Sequence, residues 1–89
     1  MNSHITKDFR KSFDKLPKRI QAQSRIAYRL WKSDPHHSSL QFKRVGLRNP
    51  IYSVRVGIGW RALGVVSGAN IIWYWIGSHE EYNNLIKRI

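Results

Sequence analysis

Three short hydrophobic segments separated by glycine-containing turns constrain the fold of this chain most strongly. They span residues 51–56, 60–66 and 70–76, and each is rich in β-branched or aromatic residues. Only a few residues, glycine among them, lie between successive segments, and connections this short join neighbouring antiparallel strands. This part of the chain therefore predicts three consecutive strands of an antiparallel sheet.

Two helices are predicted before these strands. Phe9, Phe13 and Leu16 share one face of a helix over residues 6–16, because they are spaced four and three positions apart. A second amphipathic helix is predicted over residues 17–33. The tight connection between them predicts that the two helices form an antiparallel αα-hairpin.

One more strand and a last helix complete the predicted fold. Apolar and polar residues alternate over residues 40–45, as in a strand with one buried face. Ser78 is a favourable N-cap for a helix over residues 79–89. The order of elements predicts a single α+β domain over residues 1–89, with the helices on one face of a four-stranded antiparallel meander.

The predicted strands differ in how apolar their two faces are. In residues 51–56, the face that holds Ser53 and Arg55 is expected to be open to solvent. Residues 70–76 carry aromatic or branched side chains on both faces, so either the last helix or a partner chain is expected to cover the second face. Without such a cover, that face would form a larger apolar patch than a soluble monomer normally exposes.

The chain is strongly basic. Sixteen Lys and Arg residues stand against five Asp and Glu residues, which gives a formal net charge of +11. Nucleic acid, an anionic membrane surface or an acidic protein would each suit this charge as a partner. There is no cysteine, so thiol catalysis and disulfides are excluded. The longest apolar run, residues 71–76, is too short to cross a bilayer, and a cytoplasmic protein without a membrane partner is expected.

Two segments carry a recognisable combination of motifs. The first, YSVRVGIGWRALGV over residues 52–65, holds an R-V-G and W-R pattern in the predicted strands. The second, IIWYWIGSHEEYNNLI over residues 71–86, places H-x-x-Y at the start of the last helix. Together they resemble the RelE/ParE superfamily of bacterial type II toxins, whose length, basic charge and order of elements also match.

This resemblance implies a RelE-like fold and a role as the toxin of a type II toxin–antitoxin system. In the RelE-like branches the toxin is a ribosome-associated mRNA endoribonuclease (an mRNA interferase), and in the ParE branch it inhibits DNA gyrase. The resemblance also implies a cognate acidic antitoxin that neutralises the toxin. A non-toxic nucleic-acid-binding domain remains a third alternative.

Cleavage of RNA without a metal ion requires a general base, a general acid and cationic donors for the phosphorane. His79 is the candidate acid or base, because imidazole exchanges protons near neutral pH. Arg55 and Arg61 suit the phosphate through their planar donor fork. Glu80 or Glu81 is a further candidate base. Three cations are predicted to extend the RNA-binding track: Lys43, Arg44 and Arg48.

Several of these candidates have an equally good structural interpretation. Tyr82 would orient the histidine, stack a base or share in proton transfer, but it also lies on the apolar face of the last helix. Glu80 and Glu81 suit the first helical turn as partners of the helix dipole. The five carboxylates are too few and too scattered for a two-metal nuclease, so no metal ion or cofactor is expected.

Overall fold

The computed structural model describes residues 1–89, which form three α-helices and a five-stranded sheet. In chain order the elements are β1 (Asn2–Ile5), α1 (Lys7–Asp14), α2 (Lys18–Ser33), β2 (Lys43–Arg44), β3 (Ile51–Arg55), β4 (Trp60–Ser67), β5 (Asn70–Ser78) and α3 (His79–Ile86). The strands lie side by side in the order β1-β5-β4-β3-β2. None of the helices has the length and apolarity needed to cross a membrane.

The sheet has a fifth strand that the sequence does not predict. β1 pairs in parallel with β5, and backbone hydrogen bonds run from Asn2 N to Ala69 O at 2.8 Å and from Thr6 N to Trp73 O at 3.1 Å. The Trp73 indole also donates to Ser3 Oγ at 3.0 Å. The prediction of a purely antiparallel four-stranded meander is therefore wrong. A short polar edge strand carries none of the apolar alternation that marks a half-buried strand.

The first predicted strand is much shorter than expected. Of residues 40–45, only Lys43–Arg44 pair with β3, and Ser38–Leu40 form a 3₁₀ turn instead. Leu40 is 2% exposed and belongs to the core. The apolar residues at 40–45 therefore do not all belong to one strand, because Leu40 is buried from the 3₁₀ turn before the strand.

The two N-terminal helices form slightly inside their predicted bounds. Thr6 Oγ1 caps α1 by accepting a hydrogen bond from Phe9 N at 3.1 Å. The Gln21 amide ties the helices together at their connection by donating to the carbonyls of Asp14 and Leu16. Both helices pack on one face of the sheet. The main core there contains Trp31, Leu40, Val54, Val56, Ala62, Ile71, Trp73 and Ile76.

The two helices do not form the closely packed hairpin that the sequence predicts. α1 lies chiefly against β5, because Phe9, Phe13 and Leu16 all face the main core. A groove of about 490 Å³ opens between β1, α1 and α2. The two helices therefore touch at their connection and through Arg25 and Phe13, with a groove between them elsewhere.

α3 packs on the opposite face of the sheet, so the prediction that all helices share one face is wrong. Tyr82 forms a second core with Ile51 and Leu63. Ser53 is 2% exposed, which overturns the expectation that its face of β3 is open to solvent. None of the large apolar side chains of residues 70–76 is left exposed. Of the two covers that the sequence left open, the structure shows the last helix.

A β-bulge in β5 changes which of its side chains face each core. Leu63 of β4 pairs with Trp75 while the next residue of β4 pairs with Trp73, so Tyr74 has no partner. The extra residue reverses the alternation of side chains along the strand. Ile76 therefore faces the main core, as Trp73 does. Tyr74 and Trp75 both lie against the second core.

Candidate active site

Two arginines face each other across the central strands. Arg55 in β3 and Arg61 in β4 are directly paired, so their side chains leave the same face of the sheet. Both are half-buried. Like charges in this position repel each other and destabilise the sheet. The pair therefore places two guanidinium groups, a group whose planar donor fork suits a phosphate, on one face of the sheet.

Neutral acceptors hold Arg61 in place. Its Nη1 donates a hydrogen bond to Trp60 O at 3.0 Å, and its Nη2 lies 3.5 Å from Gln41 Oε1. Burial lowers the pKa of Arg61, the charge of Arg55 lowers it further, and Tyr82 acts in the opposite direction. No carboxylate contributes to this balance. A guanidinium stays protonated in proteins, so Arg61 keeps its full charge for a bound anion.

The first turn of α3 is fixed beside the arginine pair. Ser78 and Glu81 form a capping box, in which Ser78 Oγ accepts a hydrogen bond from Glu81 N and Glu81 Oε1 accepts one from Ser78 N, each at 3.2 Å. His79 N donates to Gly59 O at 2.7 Å. Because Gly59 lies in the turn between β3 and β4, the helix start is tied to the two strands that carry the arginines.

Arg61 and His79 both contact the Tyr82 ring. Arg61 Cζ is 5.9 Å from the centroid of the Tyr82 ring, within the range of a cation–π contact. The His79 ring meets the same ring edge-on, with the centroids 6.0 Å apart. The Tyr82 hydroxyl donates a hydrogen bond to the buried Ser53 Oγ at 3.1 Å. Tyr82 is 6% exposed, so it supports the site from the core.

The two glutamates of this turn differ in what they contact. The Glu81 carboxylate is engaged in the capping box, where it also accepts a hydrogen bond from Ser78 Oγ at 3.0 Å. Glu80 lies exposed in the same turn. The structure thus gives Glu81 the helix-stabilising role that the sequence offered as its alternative, and leaves Glu80 exposed to solvent.

Only one of the three predicted RNA-binding cations shares a face with the arginine pair. Lys43 is the partner of Ser53, two residues before Arg55, so it lies on the same side of the sheet. Arg44 lies on the other side, and its Nε donates to a backbone carbonyl of the β2–β3 connection at 3.0 Å. Arg48 is exposed in that connection, at the end of β3 remote from the arginine pair.

Sequence reasoning missed two residues that contact the site. Gln41 has φ 47° and ψ 42° and is the only non-glycine residue with positive φ, a conformation that favours glycine. Its amide meets Arg61 from there. The alternation of residues 40–45 predicts a regular strand, so no sequence signal marks this conformation. Ser53 was expected to face solvent, yet it is buried under the Tyr82 hydroxyl.

The arrangement combines a pair of arginines with an exposed imidazole. The guanidinium donors of Arg55 and Arg61 suit the charge that develops on phosphate oxygens in a transition state. His79 is exposed, so its ring is accessible for proton transfer. No group of three or more His, Cys, Asp or Glu side chains is placed to hold a metal ion. These features fit acid–base chemistry at a phosphodiester.

Replacing Tyr82 by Phe separates its packing role from its hydroxyl. We expect Tyr82→Phe to lower the free energy of unfolding by about 1 kcal/mol, because the hydrogen bond to Ser53 is lost. We expect it to leave catalytic activity unchanged, because the ring beside His79 remains. Tyr82→Ala should cost about 3–5 kcal/mol and activity as well. Denaturant unfolding measures the stability of both variants, and the rate of phosphodiester cleavage measures their activity. A stable but inactive Tyr82→Phe protein would show that the hydroxyl acts on the substrate.

Solved toxin structures share this fold. A chain of the RelB–RelE antitoxin–toxin complex from Methanococcus jannaschii has a TM-score of 0.72 at 19% identity, with 92% of this chain and 96% of that chain covered. YafQ from Escherichia coli has a TM-score of 0.72 at 10% identity, with 91% and 96% covered. The YoeB/ParE toxin from Agrobacterium tumefaciens has a TM-score of 0.69 at 16% identity, with 89% and 99% covered. At these identities the likeness establishes the fold alone.

A match to a family model, and not to an individual curated protein, establishes the family by sequence. No curated protein sequence matches this chain. The family model of the ParE-like toxin domain matches residues 18–84. The match covers most of the chain and includes Arg55, Arg61, His79 and Tyr82. The resemblance to the RelE/ParE superfamily is thereby confirmed, and the chain belongs to the family of ParE-like toxin domains.

Proposed function

We propose that this domain is a toxin that cuts ribosome-bound mRNA as a metal-independent endoribonuclease. The observation that carries the proposal is that Arg61, whose charge is balanced by no carboxylate, and His79 both contact the Tyr82 ring. Arg55 is paired with Arg61 on the same face of the sheet. Cleavage through the ribose 2′-OH needs these two parts together, a phosphate-binding cation and a proton-transfer group. A surface that only binds nucleic acid would need the charge without the imidazole.

In the proposed reaction, the ribose 2′-oxygen attacks the adjacent phosphorus, and the bond from phosphorus to the 5′-oxygen of the next nucleotide breaks. A base takes the proton of the 2′-OH, and an acid gives a proton to the departing 5′-oxygen. The products are a 2′,3′-cyclic phosphate and a 5′-hydroxyl. We assign His79 to one of the two proton transfers and the exposed carboxylate of Glu80, in the same helical turn, to the other. Arg55 and Arg61 neutralise the phosphorane oxygens.

Two altered reactions test this mechanism. A single 2′-deoxyribose at the cut should make a ribosome-bound mRNA inert, because the attacking oxygen is missing. A free RNA oligonucleotide at high protein concentration should still be cut in excess EDTA. This substrate is used because EDTA would also disassemble ribosomes. The cut fragments should end in a 2′,3′-cyclic phosphate or a 3′-phosphate. Cutting that stops in EDTA, or that proceeds at the 2′-deoxyribose, would refute the mechanism.

We further propose a cognate acidic antitoxin as the partner. The RelB–RelE complex shows a protein of this fold bound to an antitoxin. The antitoxin would inhibit in one of two ways. Its carboxylates would pair with Arg55 and Arg61 in place of the phosphate, or it would displace α3 and so remove His79 from the site. Charge complementarity should make association fast and sensitive to salt. Co-expression with the adjacent open reading frame checks this, and a neighbour that is basic or fails to co-purify counts against it.

The family match also supports a second candidate, an inhibitor of DNA gyrase without nuclease chemistry. The model that matches residues 18–84 is that of the ParE-like toxin domain, and one fold carries different functions. Expression in bacteria separates the candidates. The endoribonuclease should stop translation with mRNA cut, whereas the gyrase inhibitor should produce DNA breaks and an SOS response with mRNA intact. Unchanged growth would contradict both and favour a non-toxic nucleic-acid-binding domain.

A further inference from the structure

Most of the positive charge lies away from the proposed active site. Nine of the sixteen Lys and Arg residues fall within residues 7–32, together with only two of the five acids. α1 and α2 cover the sheet face opposite to α3, and the arginine pair lies on the α3 face. The proposed cleavage site therefore does not use this charge. The nine cations are Lys7, Arg10, Lys11, Lys15, Lys18, Arg19, Arg25, Arg29 and Lys32.

α2 carries a stripe of exposed cations along one side. The residues of this α2 stripe are Lys18, Arg25, Arg29 and Lys32. Their spacing of seven, four and three positions places them on one helix face over about 21 Å. α2 contains no Asp or Glu. Like charges one turn apart, as in Arg25, Arg29 and Lys32, destabilise a helix. An anionic partner bound to the α2 stripe would explain why these charges are present.

The groove between β1, α1 and α2 adds aromatic surface beside the α2 stripe. The rings of Phe9 and Phe13 line it and are stacked with their centroids 6.5 Å apart. Tyr28, also in the lining, is 44% exposed. Arg25 and Arg29 of the α2 stripe line the same groove, and Arg25 Cζ lies 5.2 Å from the Phe13 ring centroid. The groove thus offers rings and guanidinium groups to one ligand.

We propose that this face binds single-stranded RNA, with the phosphates along the α2 stripe and a base in the aromatic groove. A cationic track beside aromatic rings is how proteins hold single strands without reading their sequence. An acidic protein segment in the groove would meet Arg25 and Arg29 and leave Lys18 and Lys32 unused, since these lie outside the groove lining. The choice of RNA as the ligand rests on the proposed function, but the α2 stripe and the groove lie on the other face of the sheet from the proposed cleavage site.

Binding to this face is measured in the full chain carrying both Arg61→Ala and His79→Ala, because either change alone is expected only to slow the proposed cleavage. The probe is a fluorescein-labelled oligoadenylate, and its anisotropy is recorded over a series of salt concentrations. We expect Arg25→Ala with Arg29→Ala to weaken binding about 10-fold and to reduce the slope of log K against log salt by about one for each lost phosphate contact. The matched control, Lys87→Ala with Arg88→Ala, removes the same charge beyond α3 and should weaken binding by less than about 2-fold.

Equal losses in the two double variants would overturn the proposal, because they would show that only net charge acts. Unchanged RNA binding with lost binding of polyglutamate in the Arg25 and Arg29 variant would assign the face to an acidic protein instead. Replacing both Arg25 and Arg29 by Lys should keep most of the salt dependence of RNA binding, because the charges remain. This result would show that the weaker binding of the Ala variant comes from lost charge and not from misfolding. These outcomes do not depend on whether the protein cleaves RNA, so they are distinguishable from failure of the proposed reaction.

Discussion

Arg61→Ala is expected to lower the rate of RNA cleavage by about 100-fold and to leave the protein at least as stable as before. The rate falls because a donor aimed at developing phosphorane charge supplies about 3 kcal/mol. The free energy of unfolding should not fall, because Arg61 is paired with Arg55 and its removal relieves the repulsion between the two positive charges. No carboxylate loses a partner, since none contributes to the charge balance of Arg61.

Single-turnover cleavage and thermal unfolding of the same preparations check this result. Arg88→Ala removes one exposed arginine near the end of α3 and is the matched control, which should retain the full rate. Arg61→Lys should recover part of the rate, because it restores the charge without the planar fork. Full activity of the Arg61→Ala protein would remove the centre of the proposed site. A marked fall in its Tm would instead give Arg61 a structural role.

His79→Ala is expected to lower the cleavage rate by about 100-fold to 10,000-fold, the range of one general acid or base. The fold should be preserved, because the hydrogen bond from the backbone of residue 79 to Gly59 O does not involve the side chain. The capping box of Ser78 and Glu81 also stays intact. Single-turnover rates with and without the imidazole measure the effect, and circular dichroism confirms that the variant is folded.

A substrate with sulfur in place of the bridging 5′-oxygen shows which proton His79 moves. A thiolate leaves without being protonated, because a thiol is far more acidic than an alcohol. If His79 is the general acid, the His79→Ala protein should cut this substrate as fast as the unaltered protein does. If His79 is the base, the defect should persist on both substrates. Equal rates of the two proteins on the ordinary substrate would exclude His79 from the reaction.

The arginine pair was predictable because its geometry is set locally. Residues 51–66 hold two strand-like segments around a short glycine turn, and a turn of this length fixes which residues pair across it. Arg55 and Arg61 therefore meet whatever the rest of the chain does. The start of α3 was predictable for the same reason, since Ser78 marks a helix N-terminus from the sequence of one turn.

Features set by distant contacts were not predictable. Every residue from 71 to 76 is apolar or aromatic, so the bulge at Tyr74 leaves no break in the pattern. The apolar stripe of α3 shows that the helix is buried on one side but not which sheet face it covers. β1 is polar and depends on its partner strand for its conformation. Gln41 follows a turn that is fixed by the burial of Leu40.

The position of β5 in the sheet has a consequence for when the domain can fold during synthesis. β5 contacts β1, β4, α1 and α3, and its pairing with β1 joins Asn2 to Asn70. The ribosome makes the N-terminal segments first, and contacts between segments so far apart form slowly. α1 and β1 therefore wait for residues 70–78 before they can dock. His79 and Tyr82 emerge later still, so a nascent chain lacks the assembled site until α3 has been made.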